Sequence, residues 1–354
     1  MNIVFIINDP YANNIETLYA ELSAEPENII TVVVCDRVGH SFSPAVPALE
    51  IAAVLADKGI PHIIYCADFD IEALKPDYIF TSNPYDIYID DKLSSDKLSA
   101  IGRLIHVSYG AALIHWSGDY RVLAENPYLE RASMVFTESA QLYRDRINFI
   151  PVGYLKLDSY AYYGRQFTRF DRKAIAWKPR WTGADRVNFI SYAQSLFDVV
   201  KKNNLILNLI AHPLLFVSLS QEEGMEEGIN LLNLMKNDEC VRFVLGADFL
   251  DDVLGSDILV SDISSTMAEF MFTEKPVIFT GGMADLNKVG EAVMSACYKI
   301  SDGDALKKKI ESLLEGKDPL MSNRRGVYNW LFDGHEKVSV ATRIKNILKD
   351  GLGD

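Results

Sequence analysis

Short apolar runs alternate with amphipathic stretches along the first half of the chain. These runs are continuously apolar, a pattern typical of parallel strands that are covered on both faces. We predict six strands there: Asn2–Asn8, Ile29–Cys35, His62–Tyr65, Tyr78–Thr81, Leu104–Val107 and Met134–Thr137. Between the second and third, Pro44–Lys58 has the apolar spacing of a helix, and a Gly-Ile-Pro sequence ends it.

The second half repeats this alternation. Its predicted strands are Ala174–Trp177, Leu205–Ala211, Val241–Leu245, Ile258–Ser261, Val277–Thr280 and Tyr298–Ile300. Helical patterns separate them, including Asn188–Asn203, Thr266–Thr273 and Ala305–Leu314, and the final stretch Asn323–Leu348 is also predicted to be helical. Repeated strand–helix units indicate parallel sheets with right-handed crossovers.

The 354 residues suffice for two domains. The segment Tyr160–Lys173 is polar and lacks apolar periodicity, so we place the boundary there, with domains at 1–165 and 166–354. We therefore predict an α/β protein with two Rossmann-like parallel-sheet domains that face a cleft. The last helix is expected to pack back on the first domain.

The net charge of the chain limits the classes of molecule that it can bind. The chain has 35 Lys and Arg against 49 Asp and Glu, a net charge of −14. Such a surface is poorly suited to nucleic acid or to broad contact with anionic lipid, so we expect no nucleic-acid partner. Any anion-binding site must be a local basic cluster.

The sequence contains few signals for disulfides, export, membrane insertion or metal binding. The four cysteines lie far apart with no C-x-x-C pair, and we interpret them as reduced core thiols. We expect no signal peptide, because Met1–Asn8 is too short and lacks a basic start, and no apolar run approaches the roughly 18 residues of a membrane span. We expect a cytoplasmic protein without a bound metal, since the histidines show no ligand spacing. The sequence gives no indication of its oligomeric state.

The segment 257–280 holds a candidate phosphate-binding site. Its predicted strand ends at Ser261, and Ser264, Ser265 and Thr266 follow at the start of the next helix. Free backbone N–H groups and hydroxyls at a helix start suit phosphate. Simple capping of the helix is the alternative interpretation.

Two further residues could contact an anion. His212 directly follows a predicted strand, where it can bind phosphate or cap the next segment. Arg180 follows another strand end within a basic stretch, which is otherwise equally well explained as a solvated linker. In the first half, Asp9 and Asp36 follow predicted strands. The fingerprints of dinucleotide oxidoreductases, P-loop proteins, serine hydrolases and zinc proteases are absent from the sequence.

Taken in order, several segments resemble the CDP-glycerol glycerophosphotransferase family, the teichoic-acid-type polyol-phosphate transferases, and its short-chain subgroup in particular. The segments that carry the resemblance are 261–265 with Glu269 and Lys275-Pro276, Ala211-His212-Pro213, 179–182, 152–158, Asp333-Gly334 with Ser339 and Arg343-Ile344, and 76–85 with 106–110. They span most of the chain.

The resemblance implies a glycosyltransferase-B-like fold and an enzyme that transfers a polyol phosphate from a CDP-activated donor. The acceptor would be a surface glycan, a capsule polysaccharide or a teichoic-acid-like chain, lipid-linked or not, which would bring the enzyme to the inner face of the membrane. The donor phosphates would lie on His212, Ser264, Ser265, Thr266 and Arg180, with Asp262 and Glu269 in support. The donor is a substrate, so no separate cofactor is implied.

The sequence departs from the family at the presumed base. Long-chain members carry His-Gly where this chain has Tyr109-Gly110. The candidate bases are therefore Tyr109, His106 and Asp9. A glycosyltransferase that uses a nucleotide sugar and a non-catalytic nucleotide- or glycan-binding subunit remain alternatives.

Overall fold

The computed structural model describes residues 1–10, 15–40, 44–114, 127–141, 147–180, 185–211, 215, 226–244, 249–282, 285–332 and 337–351. The chain forms two compact units. The first is Met1–Gly110, Trp116–Arg165 and Leu331–Asp354, and the second is Ala111–His115 and Gln166–Trp330. Each unit contains one parallel β-sheet, so the predicted α/β class with two such sheets is confirmed.

The first sheet has seven strands among the described residues. They are β1 (Asn2–Ile7), β2 (Ile29–Val34), β3 (Ile63–Ile64), β4 (Tyr78–Thr81), β5 (Arg103–Val107), β6 (Met134–Thr137) and β7 (Phe149–Pro151), in the order β3-β2-β1-β4-β5-β6-β7. All six predicted strands are present. The pattern missed β7, which has three residues and ends in a proline that only an edge strand tolerates.

The second sheet has six strands in its described part, and all six were predicted. They are β8 (Ala174–Lys178), β9 (Ile206–Leu209), β10 (Val241–Phe243), β11 (Ile258–Ser261), β12 (Val277–Phe279) and β13 (Tyr298–Lys299), in the order β10-β9-β8-β11-β12-β13.

Helices connect most of these strands. In the first unit they are α1 (Glu16–Ser23), α2 (Ala48–Asp57), α3 (Ser95–Ile101), α4 (Pro127–Arg131) and α5 (Asp158–Ala161). The second unit adds α6 (Asp185–Lys202), α7 (Glu226–Lys236), α8 (Phe249–Gly255), α9 (Ser265–Phe270), α10 (Lys288–Ser295), α11 (Gly303–Leu314) and α12 (Met321–Leu331). Short 3-10 helices are Glu72–Leu74, Asp86–Tyr88, Asp91–Leu93, Leu155–Leu157 and Met271–Thr273. The helix predicted from Pro44 begins at Ala48, with Pro47 in an extended conformation as its N-cap. A proline disfavours the helical conformation in the residue before it, here Val46.

The last helix, α13 (Val340–Asp350), belongs to the first unit. The stretch Asn323–Leu348, predicted to be helical, contains most of two separate helices, α12 and α13. The fully buried Asp158 carboxylate accepts the N–H groups of Val340 and Ala341 at 2.9 and 2.8 Å. Buried apolar residues of α13 join the core cluster that contains Phe5 of β1.

Both faces of the first sheet are covered. Ile3, Phe5 and Ile7 of β1 belong to one apolar cluster, whereas Val4 and Ile6 belong to another. This burial of alternate side chains on opposite faces explains the continuous apolar runs. Of the four predicted core thiols, three are buried, but Cys66 is exposed.

Each sheet has one point where the strand order reverses. In the first unit it lies between β1 and β4, and in the second between β8 and β11. The connections leave neighbouring strands in opposite directions there, which opens a crevice at their carboxyl ends. Side chains just after these four strands are therefore the best placed to bind a ligand.

Candidate functional site

Asp262 connects three strand ends in the second unit. It directly follows β11, is 2% exposed, and accepts the N–H of Arg180 at 2.9 Å. Its other carboxylate oxygen accepts the hydroxyl of Thr280 at 3.0 Å. The ends of β8, β11 and β12 are thus held together by one carboxylate.

Hydroxyl groups crowd the beginning of α9. Ser264 precedes the helix in an extended conformation, and its Oγ lies 3.2 Å from the Oγ of Ser261. Ser264 and Ser265 are half-buried, whereas Thr266 is buried with a hydroxyl that has no hydrogen-bond partner among the described residues. The first backbone N–H groups of a helix have no partner within it, so hydroxyls and N–H groups gather here.

Two cationic side chains come from β8 and the residues after it. Lys178 is the last residue of β8, in register with Ser261, and its Nζ lies 4.0 Å from the centroid of the Phe249 ring. Arg180 follows two residues later and is half-buried. The sequence places both in one basic stretch, from which Arg180 was selected as the candidate; the position of Lys178 at a strand end was a further usable signal. We call Lys178, Arg180, Asp262, Ser264, Ser265 and Thr266 the second-unit cluster.

The remaining predicted residues of this site differ in their placement. Glu269 lies on α9 and is fully buried. Lys275 donates to the carbonyl oxygens of Leu254, Gly255 and Ser256 at 3.0, 3.4 and 2.8 Å, so it caps the end of α8. Burial lowers the pKa of Lys275. His212 lies outside the described residues.

Asn8 connects two strand ends in the first unit. Its N–H donates to Ser82 Oγ at 3.2 Å, and its Oδ1 accepts from Ser82 Oγ at 2.8 Å and from Asn83 Nδ2 at 2.9 Å. All three side chains are buried. The carboxyl ends of β1 and β4 are thus joined by neutral polar groups.

An ion pair lies next to this connection. Asp9 Oδ2 and Arg37 Nη1 are 2.8 Å apart, with side chains 9% and 14% exposed. The Arg37 guanidinium also lies 4.8 Å from the centroid of the Tyr88 ring. We call Asn8, Asp9, Arg37, Ser82, Asn83, Tyr85, Tyr88 and Tyr109 the first-unit cluster.

Two of the three candidate bases have unsuitable surroundings. His106 is fully buried in β5, and this burial, partly offset by the backbone of Thr81, lowers its pKa to about 3. The ring has no surface through which a substrate could reach it. Burial, with Tyr85 and the Asp9 carboxylate adding to it, raises the pKa of Tyr109 well above its usual range, so this phenol stays protonated. Asp9, the third candidate, is buried, and its carboxylate forms the ion pair with Arg37.

Metal and membrane features are also absent from the described part of the chain. No group of three or more His, Cys, Asp or Glu side chains there is arranged to hold a metal ion. No helix within the same residues is long and apolar enough to cross a membrane.

The fold places the protein among two-domain α/β proteins of the glycosyltransferase-B-like type, and comparison with solved structures agrees. A putative UDP-N-acetylglucosamine 2-epimerase from Listeria monocytogenes is 15% identical with a TM-score of 0.68, covering 99% of this chain and 96% of that one. The S. aureus MnaA-UDP structure is 16% identical with a TM-score of 0.65, covering 99% and 97%. The wall teichoic acid polymerase TagF, soaked with CDPG, is 13% identical with a TM-score of 0.62, covering 99% and 88%.

The family resemblance inferred from the sequence is confirmed within the second unit. The model of the family described as CDP-Glycerol:Poly(glycerophosphate) glycerophosphotransferase matches residues 168–288. This segment contains the whole second-unit cluster. No curated protein matches the chain significantly.

Proposed function

We propose that the protein transfers a polyol phosphate, glycerol phosphate in the simplest case, from a CDP-activated donor to a hydroxyl of a cell-surface glycan or teichoic-acid-like acceptor. The observation that carries this proposal is the coincidence of the family match over 168–288 with the second-unit cluster. The released product would be CMP.

The second unit would bind the diphosphate of the donor. Arg180 and Lys178 supply positive charge in a chain whose net charge is −14. Ser264, Ser265 and the first N–H groups of α9 supply hydrogen-bond donors. Charge-assisted hydrogen bonds of this kind suit phosphate oxygens. His212 is proposed to add a further donor.

The reaction needs in-line attack on phosphorus. The acceptor oxygen would form a bond to the β-phosphorus, and the bond from that phosphorus to the bridging oxygen would break as CMP leaves. The hydroxyl proton would pass to a base, and we assign this role to Asp9. The phosphorus is already activated in the donor, so the proposal invokes no cofactor.

The proposed enzyme acts in the cytoplasm, with peripheral contact at the inner face of the cell membrane when its acceptor is lipid-linked. This location follows from the proposed acceptor.

A thermal-shift panel tests the donor. CMP, CDP, CDP-glycerol, CDP-ribitol, UDP, UDP-N-acetylglucosamine and GDP would each be added to the purified protein. A ligand at about 100 times its Kd adds about 2.7 kcal/mol to the free energy of unfolding, which raises Tm measurably. We expect cytidine nucleotides to stabilise the protein and Ser265→Ala to weaken this effect. A preference for uridine would instead favour a nucleotide-sugar enzyme and overturn the proposal.

A further inference from the structure

We propose that the acceptor bound by the first-unit cluster is a neutral sugar ring rather than a polyol-phosphate chain. This inference rests on the proposed function for the identity of the reaction, but the binding of sugar by the cluster can be measured without any donor. It follows from the aromatic rings, the polar groups and the charges around Asp9.

The cluster presents aromatic rings beside polar groups. The Tyr85 and Tyr88 rings meet edge to face with centroids 5.8 Å apart, and Tyr109 Oη lies 3.5 Å from Tyr85 Oη. All three side chains are half-buried, so each keeps some exposed surface. The apolar C–H face of a pyranose packs on such rings, while its hydroxyls bond to adjacent polar groups.

Backbone contacts hold these rings in place. The carbonyl of Tyr88 accepts from Asn8 Nδ2 and from the N–H of Val38, each at 2.9 Å. The carboxylate of Asp86 accepts the N–H and the hydroxyl of Ser95 at 2.7 and 2.6 Å. The segment 85–88 is therefore fixed to the residues just after β1 and β2 and to α3. Rings that are held in this way bind with little loss of side-chain entropy.

The charges around the rings disfavour a phosphodiester chain. The guanidinium of Arg37 is paired with Asp9. The half-buried carboxylate of Asp86 lies 3.8 Å from Nη1 of Arg131, which balances its charge. The carboxylates of Asp36 and Asp90, in the same segments, are exposed. A polyol-phosphate acceptor carries one negative charge per repeat and would meet these carboxylates with like charge. A neutral sugar avoids this repulsion, and Asp9 can accept the proton of its hydroxyl.

The test compares neutral sugars with a polyol phosphate as acceptors and examines the role of the Tyr85 ring. Methyl glycosides of neutral hexoses and of an N-acetylhexosamine would be compared with a short oligo(glycerol phosphate), with CMP release from CDP-glycerol as readout. We expect the best sugar to have the higher kcat/KM. Tyr85→Leu should raise the KM for that sugar about threefold to tenfold, the range for loss of an aromatic contact, without changing the KM for the donor. Tyr85→Phe keeps the ring and should retain more affinity than Tyr85→Leu. Tyr162→Leu, an exposed tyrosine next to α5, is the matched control.

Binding without donor separates the two proposals. Saturation-transfer NMR with the methyl glycosides alone should show contact that Tyr85→Leu weakens. If CDP-glycerol stabilises the protein but no sugar binds at millimolar concentration, or if oligo(glycerol phosphate) is the better acceptor, the sugar inference is wrong and the proposed function stands. If a sugar binds through Tyr85 but no cytidine nucleotide does, the proposed donor is wrong and the sugar site stands.

Discussion

The points where the strand order reverses have the same kind of hydrogen bond in both units, but the residues around them differ in charge. In the first unit the N–H of Asn8, just after β1, donates to the side chain of Ser82, just after β4. In the second unit the N–H of Arg180, after β8, donates to the side chain of Asp262, just after β11. In each unit, counting strands along the chain, a backbone N–H just after the first strand thus donates to a side chain just after the fourth.

The difference lies in which position carries the charge. The second residue after the first strand is Asp9 in one unit and Arg180 in the other. The side chain on the fourth strand is a neutral serine in the first unit and a carboxylate in the second. The common topology therefore fixes where a ligand would bind, whereas single residues beside the strand ends determine whether the crevice suits a hydroxyl or a phosphate.

The largest expected effect comes from removing the charge of Asp9. If its carboxylate accepts the acceptor's proton, Asp9→Asn should lower kcat by about 10² to 10⁴, the usual contribution of general base catalysis. Steady-state CMP release measures this. The stabilisation of the protein by CDP-glycerol should be unchanged, because the donor is assigned to the other unit. Asp57→Asn, on the exposed end of α2, is the control. Near-normal turnover in Asp9→Asn would exclude Asp9 as the base.

The two side chains that accept these backbone N–H groups, Asp262 and Ser82, should differ in how much they stabilise the protein. Asp262 accepts through a carboxylate, from an N–H and from the Thr280 hydroxyl, and bonds to charged groups contribute about 1.5–3 kcal/mol each. Asp262→Ala should therefore lower the free energy of unfolding by about 3 kcal/mol. Ser82→Ala removes neutral hydrogen bonds and should cost about 1 kcal/mol. Urea denaturation of the two variants tests this, and equal losses would contradict the comparison.

Sequence patterns located the strands, because burial on both sheet faces leaves long apolar runs. The candidate site residues follow these runs directly, and their roles stay predictions. Contacts set by the order of strands were not predictable in the same way. Asp9 and Arg37 meet because β1 and β2 are neighbours in the sheet, and their pairing leaves no local signal. The aromatic segment 85–88 depends on a short 3-10 turn without apolar periodicity.

Resemblance to a family also selected residues whose role is structural. Asp158 and Ser339 lie in segments that match the family's pattern, yet Asp158 binds the first N–H groups of α13 and Ser339 caps that helix. Lys275 likewise caps α8. A motif does not distinguish a residue that holds the fold from one that binds the substrate, and only the hydrogen-bond partners do so.

Donor affinity should depend on the second-unit cluster and not on the first-unit cluster. Ser265→Ala removes one hydroxyl at the start of α9, and loss of a charge-assisted hydrogen bond of about 1.5–3 kcal/mol corresponds to a Kd about 10- to 150-fold higher for CDP-glycerol. Isothermal titration calorimetry measures it. Ser264→Ala should have less effect, because that hydroxyl already bonds to Ser261. Ser295→Ala, at the end of α10, is the control, and an unchanged Kd in Ser265→Ala would remove this hydroxyl from the site.

Stability against acid should also differ between matching positions of the two sheets. His106 of β5 is in register with Thr81, the last residue of β4, as Phe279 of β12 is with Ser261, the last residue of β11. Burial lowers the pKa of His106 from 6.5 to about 3. Between these values the unfolded chain takes up a proton and the folded protein does not, so stability falls as the pH falls, by about 1.4 kcal/mol per pH unit. His106→Phe introduces the residue type found at the matching position of the second sheet, Phe279. It should remove the contribution of His106 to the pH dependence of stability, which is obtained from the free energy of unfolding measured between pH 6.5 and 4. His62→Gln keeps His106 and is the control. An unchanged slope in His106→Phe would mean that His106 is protonated in the folded protein and that its burial does not exclude it as a base.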